Sequence, residues 1–350
     1  MPETFNIRAG AKALEHIRRQ GLQAQDIDVM VGAAGGPKWI ILHGLDQYLM
    51  KEWFTDSNQE LHLIGSSAGA WRLLCYTLDQ PTDAIDRLLK HYTEQEYHKQ
   101  PSQSEVTEKL ENIIAKVLEG ESLNLLSNQT KRKLYILSSL STFNKKQNSK
   151  YKKEFLSLFL RNLVSRKNLS QRLQRIVFTN SIKTDFIKPD DFRTKYITLN
   201  HQNIHEAVRS SGTLPMYMHP VENIQGVKGM LWDGALIDYH IGLDYNNSGL
   251  ILYPHFSDNL IEGWFDKFLP YRKFSSMVID KMILISPSSK FIQSLPDAKI
   301  PDRTDFSTYM NKNRYRIENW YKASDQSKEI AHEFHELWTS GQLYDEIKSL

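Results

Sequence analysis

Leu61-His62-Leu63-Ile64-Gly65-Ser66-Ser67-Ala68-Gly69-Ala70-Trp71-Arg72-Leu73-Leu74-Cys75-Tyr76 changes character at its middle. Leu61–Ile64 is short and mostly apolar and reads as a strand; Ala70–Tyr76 reads as a helix. The junction is G-x-S-x-G with Ser67 at its centre. A hydroxyl that is to act as a nucleophile must be held out on a tight strand-to-helix turn, and this junction has that form. Gly65 and Gly69 leave room for the turn, because a Cβ there would collide with neighbouring backbone. The helix that follows points its N-terminus at the reacting carbon, where its dipole favours an oxyanion and the N–H of Ala68 is a natural donor. Ser66 is the competing hydroxyl, but the centre of the turn is the position that projects.

Upstream, Ile27-Asp28-Val29-Met30-Val31 alternates, is β-branched and reads as the first strand of a sheet. Gly32-Ala33-Ala34-Gly35-Gly36 follows with almost no side-chain bulk, and Pro37 suits the first position of a helix. Glycines let a backbone approach a ligand, and the N–H groups of a helix start bind anions. Pro37 cannot donate, which leaves Gly35 and Gly36 as the better donors. A nucleotide-binding loop is excluded by spacing, since neither G-x-G-x-x-G nor G-x-x-x-x-G-K-[ST] is present.

Four blocks in this order resemble the patatin-like phospholipases. They are the loop Gly35-Gly36-Pro37-Lys38-Trp39, the elbow Gly65-Ser66-Ser67-Ala68-Gly69, the run Ala207 to Pro220 and the downstream Asp233-Gly234-Ala235. The resemblance spans about residues 27–245. It departs from the family pattern at Trp39, usually Gly, and at Ala34, where a third Gly is common. Lys38 stands where Arg is usual, keeping the charge and losing the bidentate fork. The resemblance implies a Ser67–Asp233 dyad with an oxyanion hole at Gly35, Gly36, Lys38 and Ala68, no cofactor and no metal. Ser67 would attack an ester carbonyl and Asp233 would take its proton. On residues alone, Trp232-Asp233-Gly234 is an ordinary Asp-Gly turn, so the role of Asp233 comes from the resemblance.

A histidine-based triad is the mechanistic alternative, and His219 and His240 flank Asp233. Both read as structural or surface histidines. His332-Glu333-Phe334-His335 spaces its histidines three apart, whereas a zinc-binding helix needs four; it reads as the polar face of a C-terminal helix.

Alternating strands and helices predict a three-layer α/β/α core with a largely parallel sheet. Helices are expected at 11–20, 37–53, 82–98 and 104–118, and further strands at 133–137, 175–179 and 282–285. A domain over 1–290 would carry a basic helical insertion at about 140–174, with 291–350 as a helical appendage packed on it. The chain has 350 residues, 40% hydrophobic and 24% charged, enough for a large core. No run approaches the ~18 apolar residues of a membrane span. The single cysteine, Cys75, excludes an internal disulfide framework and fits a reducing compartment. The start lacks a charged-then-apolar leader, so a cytoplasmic protein is expected, peripheral at membranes if anything, although a non-Sec route would leave no such mark.

Charge is uneven. Residues 131–176 hold 13 Lys and Arg against one acid, Glu154, among apolar residues Leu156 to Val164. That mixture suits an anionic membrane surface; a helix whose apolar stripe packs on the core reads equally well, and no motif supports nucleic acid. Trp264 to Lys273 mixes aromatic and basic residues like an interfacial anchor or lid, or a buried aromatic cluster. The resulting expectation is a lipid acyl hydrolase. Beside it stand a soluble short-chain carboxylesterase or thioesterase, and a catalytically silent lipid-binding protein.

Overall fold

A computed structural model describes residues 2–55, 57, 59–126, 130–143, 151–269, 271, 272, 274 and 276–350. Among them eleven strands join one sheet: β1 (Phe5–Ala9), β2 (Ile27–Gly32), β3 (Leu61–Ser66), β4 (Arg132–Ser141), β5 (Leu173–Thr179), β6 (Thr194–Thr198), β7 (Val221–Glu222), β8 (Met230–Asp233), β9 (Leu250–Pro254), β10 (Met282–Pro287) and β11 (Lys348–Ser349). The helices are α1 (Ala11–Gln20), α2 (His43–Tyr48), α3 (Ala68–Cys75), α4 (Pro81–Thr93), α5 (Gln103–Leu118), α6 (Tyr151–Val164), α7 (Ile204–Ser211), α8 (Ser276–Ile279), α9 (Ser289–Ser294), α10 (Asp305–Thr308), α11 (Asn313–Thr339) and α12 (Leu343–Glu346).

The sheet runs β11-β1-β10-β9-β2-β3-β4-β5-β6, and β10-β9-β2-β3-β4 is a continuous parallel block. Every residue of β3, β9 and β10 is buried, as expected of parallel strands covered by helices on both faces. This is the three-layer α/β/α arrangement with a mostly parallel sheet. Local chemistry sets the helix ends: Pro81 opens α4, and Ser102 caps α5 by accepting the Glu105 N–H.

Ile27 does not begin the first strand. Phe5–Ala9 precedes it and pairs antiparallel with β10. The expected helix 37–53 is helical throughout but changes geometry, from a 3-10 turn over Gly36–Leu42 to α2 and then a π turn over Leu49–Trp53. Residues 305–350 form three helices and an edge strand, with β11 pairing β1. α11 buries Trp320 and Phe334, and Phe334 packs against Phe5, Tyr48 and Trp53. The neighbouring His332-Glu333-Phe334-His335 quartet ties this helix down: Glu333 accepts the N–H groups of Glu3 and Thr4, and His335 meets the Tyr48 hydroxyl.

Part of the basic stretch is neutralised by ion pairs within the protein. Arg175 is fully buried between Asp238 and Asp190, Arg166 lies near Asp238, Glu262 and Asp266, Arg172 pairs with Glu154, and Lys167 with Asp191. Lys145, Lys146 and Lys150 lie outside the described residues. α6 has two apolar faces. Phe155 and Leu158 face a core cluster with Trp232 and Phe265, whereas Leu156, Leu160, Leu163 and Val164 are exposed.

Candidate active site

The register of β4 places the site. Ser66, the last residue of β3, pairs with Leu137. β4 runs on to Ser141, and β8 takes over the edge that β3 has left, with Asp233 opposite Ser138. The ends of β3 and β8 are therefore adjacent along one edge of β4. β5 covers the other edge, so no other course is open to β8. The carboxyl ends of parallel strands are where open α/β sheets hold ligands.

Ser67 is the turn itself, with φ 54° and ψ −132°, a backbone state costly for any residue with a Cβ. Its N–H donates to the Ser211 hydroxyl at 2.9 Å, and that hydroxyl donates to the Leu137 carbonyl at 2.6 Å. The turn can be this tight because α3 lies almost on β2: a Cβ on Gly69 would sit 2.0 Å from the Gly32 carbonyl oxygen. Ser67 is half-buried, whereas Ser66 is wholly buried behind it.

The Ser67 hydroxyl donates to Asp233 Oδ2 at 2.8 Å. Asp233 Oδ1 accepts the Ala235 N–H at 2.8 Å, and the Asp233 N–H is held by the Thr213 carbonyl. Asp233 is 3% exposed. Burial pushes its carboxyl up to about 6; the Ala235 N–H and Ser67 hydroxyl pull the other way. Asp238, on the same turn, takes the Arg175 guanidinium through two hydrogen bonds of 2.7 and 2.9 Å. Arg166 donates to the Ile237 carbonyl between them.

The glycine-rich loop reaches the same place. Ala34 clusters with Ala235 and Tyr239, and its N–H donates to the Tyr239 carbonyl at 2.9 Å. Gly36 is left-handed at φ 57°, which turns the chain into the 3-10 turn. Gly36 and Ala68 each stand at the start of a helical turn, where the first N–H groups have no acceptor within the turn. The Lys38 ammonium lies over the Phe256 ring, 5.0 Å from its centroid, and burial lowers its pKa. Trp39 is buried edge-on to Tyr92.

The flanking histidines are engaged elsewhere. His219 meets Ser104, and His240 accepts the Ile261 N–H while its ring stacks on Tyr239. Burial holds His240 well below the usual histidine range. Among the described residues no cluster of three or more metal-ligating side chains occurs. Sequence reasoning misses Ser211 and the Arg175–Asp238 pair. Ser211 lies inside the Ala207–Pro220 block, but a serine there gives no sign of which backbone it anchors.

A buried carboxylate, a serine on a strained turn and a glycine-rich loop thus meet at the strand ends of an α/β/α fold. The family model for patatin-like phospholipases matches residues 61–240, just over half of the chain, and the chain belongs to that family. The matched span includes Ser67 and Asp233 and begins after the glycine-rich loop. No curated protein matches the chain. Family membership supports lipid acyl hydrolysis as the general activity.

Proposed function

We propose that the chain cleaves carboxylic esters of phospholipids or lysophospholipids through Ser67 and Asp233. The observation that carries this reading is the Ser67 hydroxyl, on a strained turn, 2.8 Å from a buried carboxylate with no cation in ion-pair contact among the described residues. Asp233 takes the Ser67 proton as Oγ attacks the ester carbonyl. The oxyanion forms towards the N–H groups of Gly35, Gly36 and Ala68, with the charge of Lys38 behind the loop. Asp233 returns the proton to the leaving alcohol, then removes one from the water that hydrolyses the acyl-enzyme. A carboxyl raised to about 6 is better matched to this work than an ordinary aspartate.

We assign the lipid-facing surface to the outer face of α6 and the segment after β9. Leu160 is 54% and Phe268 66% exposed, with Leu156, Leu163, Val164 and Tyr271 also in solvent. Phe159 joins the two segments through its ring contact with Phe268. Trp264, at the start of the second segment, packs on the Ala34–Ala235–Tyr239 cluster, which brings this surface to the site's edge. Lys152, Lys153 and Lys167 are exposed around the apolar stripe, a composition suited to an anionic leaflet. Pro270 and Lys273 of the expected anchor lie outside the described residues. Among the described residues no helix is long and apolar enough to cross a membrane.

Hydrolysis of phospholipid vesicles and of p-nitrophenyl butyrate by wild type, Ser67→Ala, Ser66→Ala and Asp233→Asn tests the dyad. Turnover by wild type and Ser66→Ala alone is expected. A folded wild type inert on both substrates and unlabelled by a fluorophosphonate would favour the lipid-binding alternative. Activity on the short ester alone would favour a soluble esterase.

A further inference from the structure

Three cations surround the mouth of the site, and none has a carboxylate within ion-pair distance among the described residues. Each lies over an aromatic face instead. The Lys38 ammonium is over Phe256; that of Lys267 is 3.9 Å from the Tyr239 ring centroid; the Arg303 guanidinium is 5.0 Å from that of Tyr217. They come from three segments far apart in sequence: the loop after β2, the turn after β9 and the stretch before α10.

Ring contacts tie two of them together. Phe256 packs edge-on to His240 at 5.4 Å, and His240 stacks on Tyr239 at 4.3 Å. Lys38 and Lys267 therefore cap the two ends of one aromatic row. Tyr239 in turn clusters with Ala34 and Ala235, beside Asp233. Arg303 joins the group from the far side: Tyr217 beneath it lies on the turn that follows Thr213, whose carbonyl holds the Asp233 N–H, and its charge acts on both Asp233 and Lys267.

Nearby acids are engaged elsewhere. Asp266, next to Lys267, accepts from Asn162 and Arg272, and Glu262 lies by Arg166. Asp302, whose charge acts on Lys38, pairs with Lys299 at 3.3 Å and accepts from Thr304. Lys267 reaches solvent, yet the protein packed around its ammonium and the nearby charges of Lys38 and Arg303 bring its pKa down to about 8. Asp302 and Asp233 offset part of this repulsion at Lys38 and Lys267 without ion-pair contact; what remains costs stability in the empty protein, and an anion bound among the cations would relieve it.

We infer that Lys267 and Arg303, extending from Lys38, form a subsite that selects substrates carrying a net negative group beside the scissile ester over zwitterionic or uncharged ones. The inference rests on the hydrolase reading, and names which lipids that site takes.

The test compares kcat/KM for phosphatidylglycerol and phosphatidylcholine of equal chain length in neutral detergent micelles. Wild type should favour the anionic lipid by about tenfold, the scale of one or two charge-assisted contacts. Lys267→Gln and Arg303→Gln should each bring that ratio most of the way to one. Lys322→Gln, an exposed lysine on α11, should keep it. Lys267→Gln should also melt at or above the wild-type temperature, which the loss of a structural contact would not produce.

A wild-type ratio near one, or a ratio that both variants leave unchanged, overturns the subsite. A cluster serving free phosphate would bind inorganic phosphate and give a wild-type ratio near one, which overturns it equally. If the wild type hydrolyses no lipid, binding of dodecyl phosphate and dodecyl maltoside to Ser67→Ala separates the two claims. A preference for the phosphate that vanishes in Ser67→Ala/Lys267→Gln keeps the subsite while the hydrolase reading fails; equal binding of both detergents rejects the subsite too.

Discussion

Asp233 and Asp238 stand five residues apart on one turn, at 3% and 1% exposure. Asp238 receives a two-pronged guanidinium from Arg175, which Asp190 also holds. Burial alone would lower the Arg175 pKa, but Asp238 and Asp190 more than offset it and hold the guanidinium above its ordinary value. Asp233 receives one N–H and one hydroxyl and, among the described residues, no cation in ion-pair contact. Equal burial thus has two outcomes. A carboxylate given a full set of charged donors holds the turn in place. One left short of them keeps an affinity for protons, which a base requires.

The widest separation between the two should come from their asparagine variants. Asp233→Asn keeps the shape, since the amide can accept from Ala235 and donate to Ser67, and kcat/KM should fall by about 10³-fold. Asp238→Asn removes one of the two charges around a buried guanidinium and should cost about 3 kcal/mol in a denaturant melt. An Asp238→Asn protein as stable as wild type would break the comparison, and so would an Asp233→Asn protein of undiminished activity.

The turn that Asp233 faces is far more legible in the sequence than the ion pairs around Asp238. The elbow announces itself because Gly65, Ser67 and Gly69 are local necessities of one turn. β3, β9 and β10 are all apolar runs, but only β3 and β10 read as strands in advance. β9 and the tail of β4 escape that reading. Ser138, Ser139 and Ser141 are buried in β4, yet three serines within four residues look like a strand's end. Phe5–Ala9 escapes it because its partner is β10, nearly the whole chain away. Asp233 needs a family pattern for the same reason: its meaning depends on β8 replacing β3 along β4. Arg303 carries no local signal at all, and no spacing rule joins it to Lys267. In α6 the composition is plain, but which leucines face inward depends on Trp232 and Phe265, which arrive later in the chain.

Proton affinity gives a sharper version of the contrast. The Asp233 carboxyl sits near 6, against an ordinary 3.8, so the folded protein holds that proton more tightly than the unfolded chain. Its stabilising contribution is complete below about 3.8 and is lost as pH rises through about 6. The stability of Asp233→Asn relative to wild type should therefore rise between pH 4 and pH 7.5. A shift of about two units bounds that rise at about 3 kcal/mol. Over the same interval wild-type kcat/KM on p-nitrophenyl butyrate should climb as the base ionises. Denaturant melts at the two pH values and a rate profile check both. A relative stability that stays flat with pH would mean that Asp233 is as well satisfied as Asp238.

The smallest effect concerns the serine that Asp233 faces. Ser67 has φ 54° and ψ −132°, which glycine adopts freely and a residue with a Cβ adopts at a cost of about 1–3 kcal/mol. Ser67→Ala and Ser67→Gly both delete the hydroxyl and its bond to Asp233, so that loss cancels between them. What remains is strain, which favours glycine, and unfolded-state entropy, which favours alanine by about 0.5–1 kcal/mol. Glycine should come out ahead by about 1 kcal/mol, the reverse of the order at ordinary positions, with turnover lost in both variants. The alanine variant melting above the glycine variant would place the elbow in relaxed backbone. The site's cost in stability would then lie wholly in the buried carboxylate of Asp233, and none of it in the backbone of Ser67.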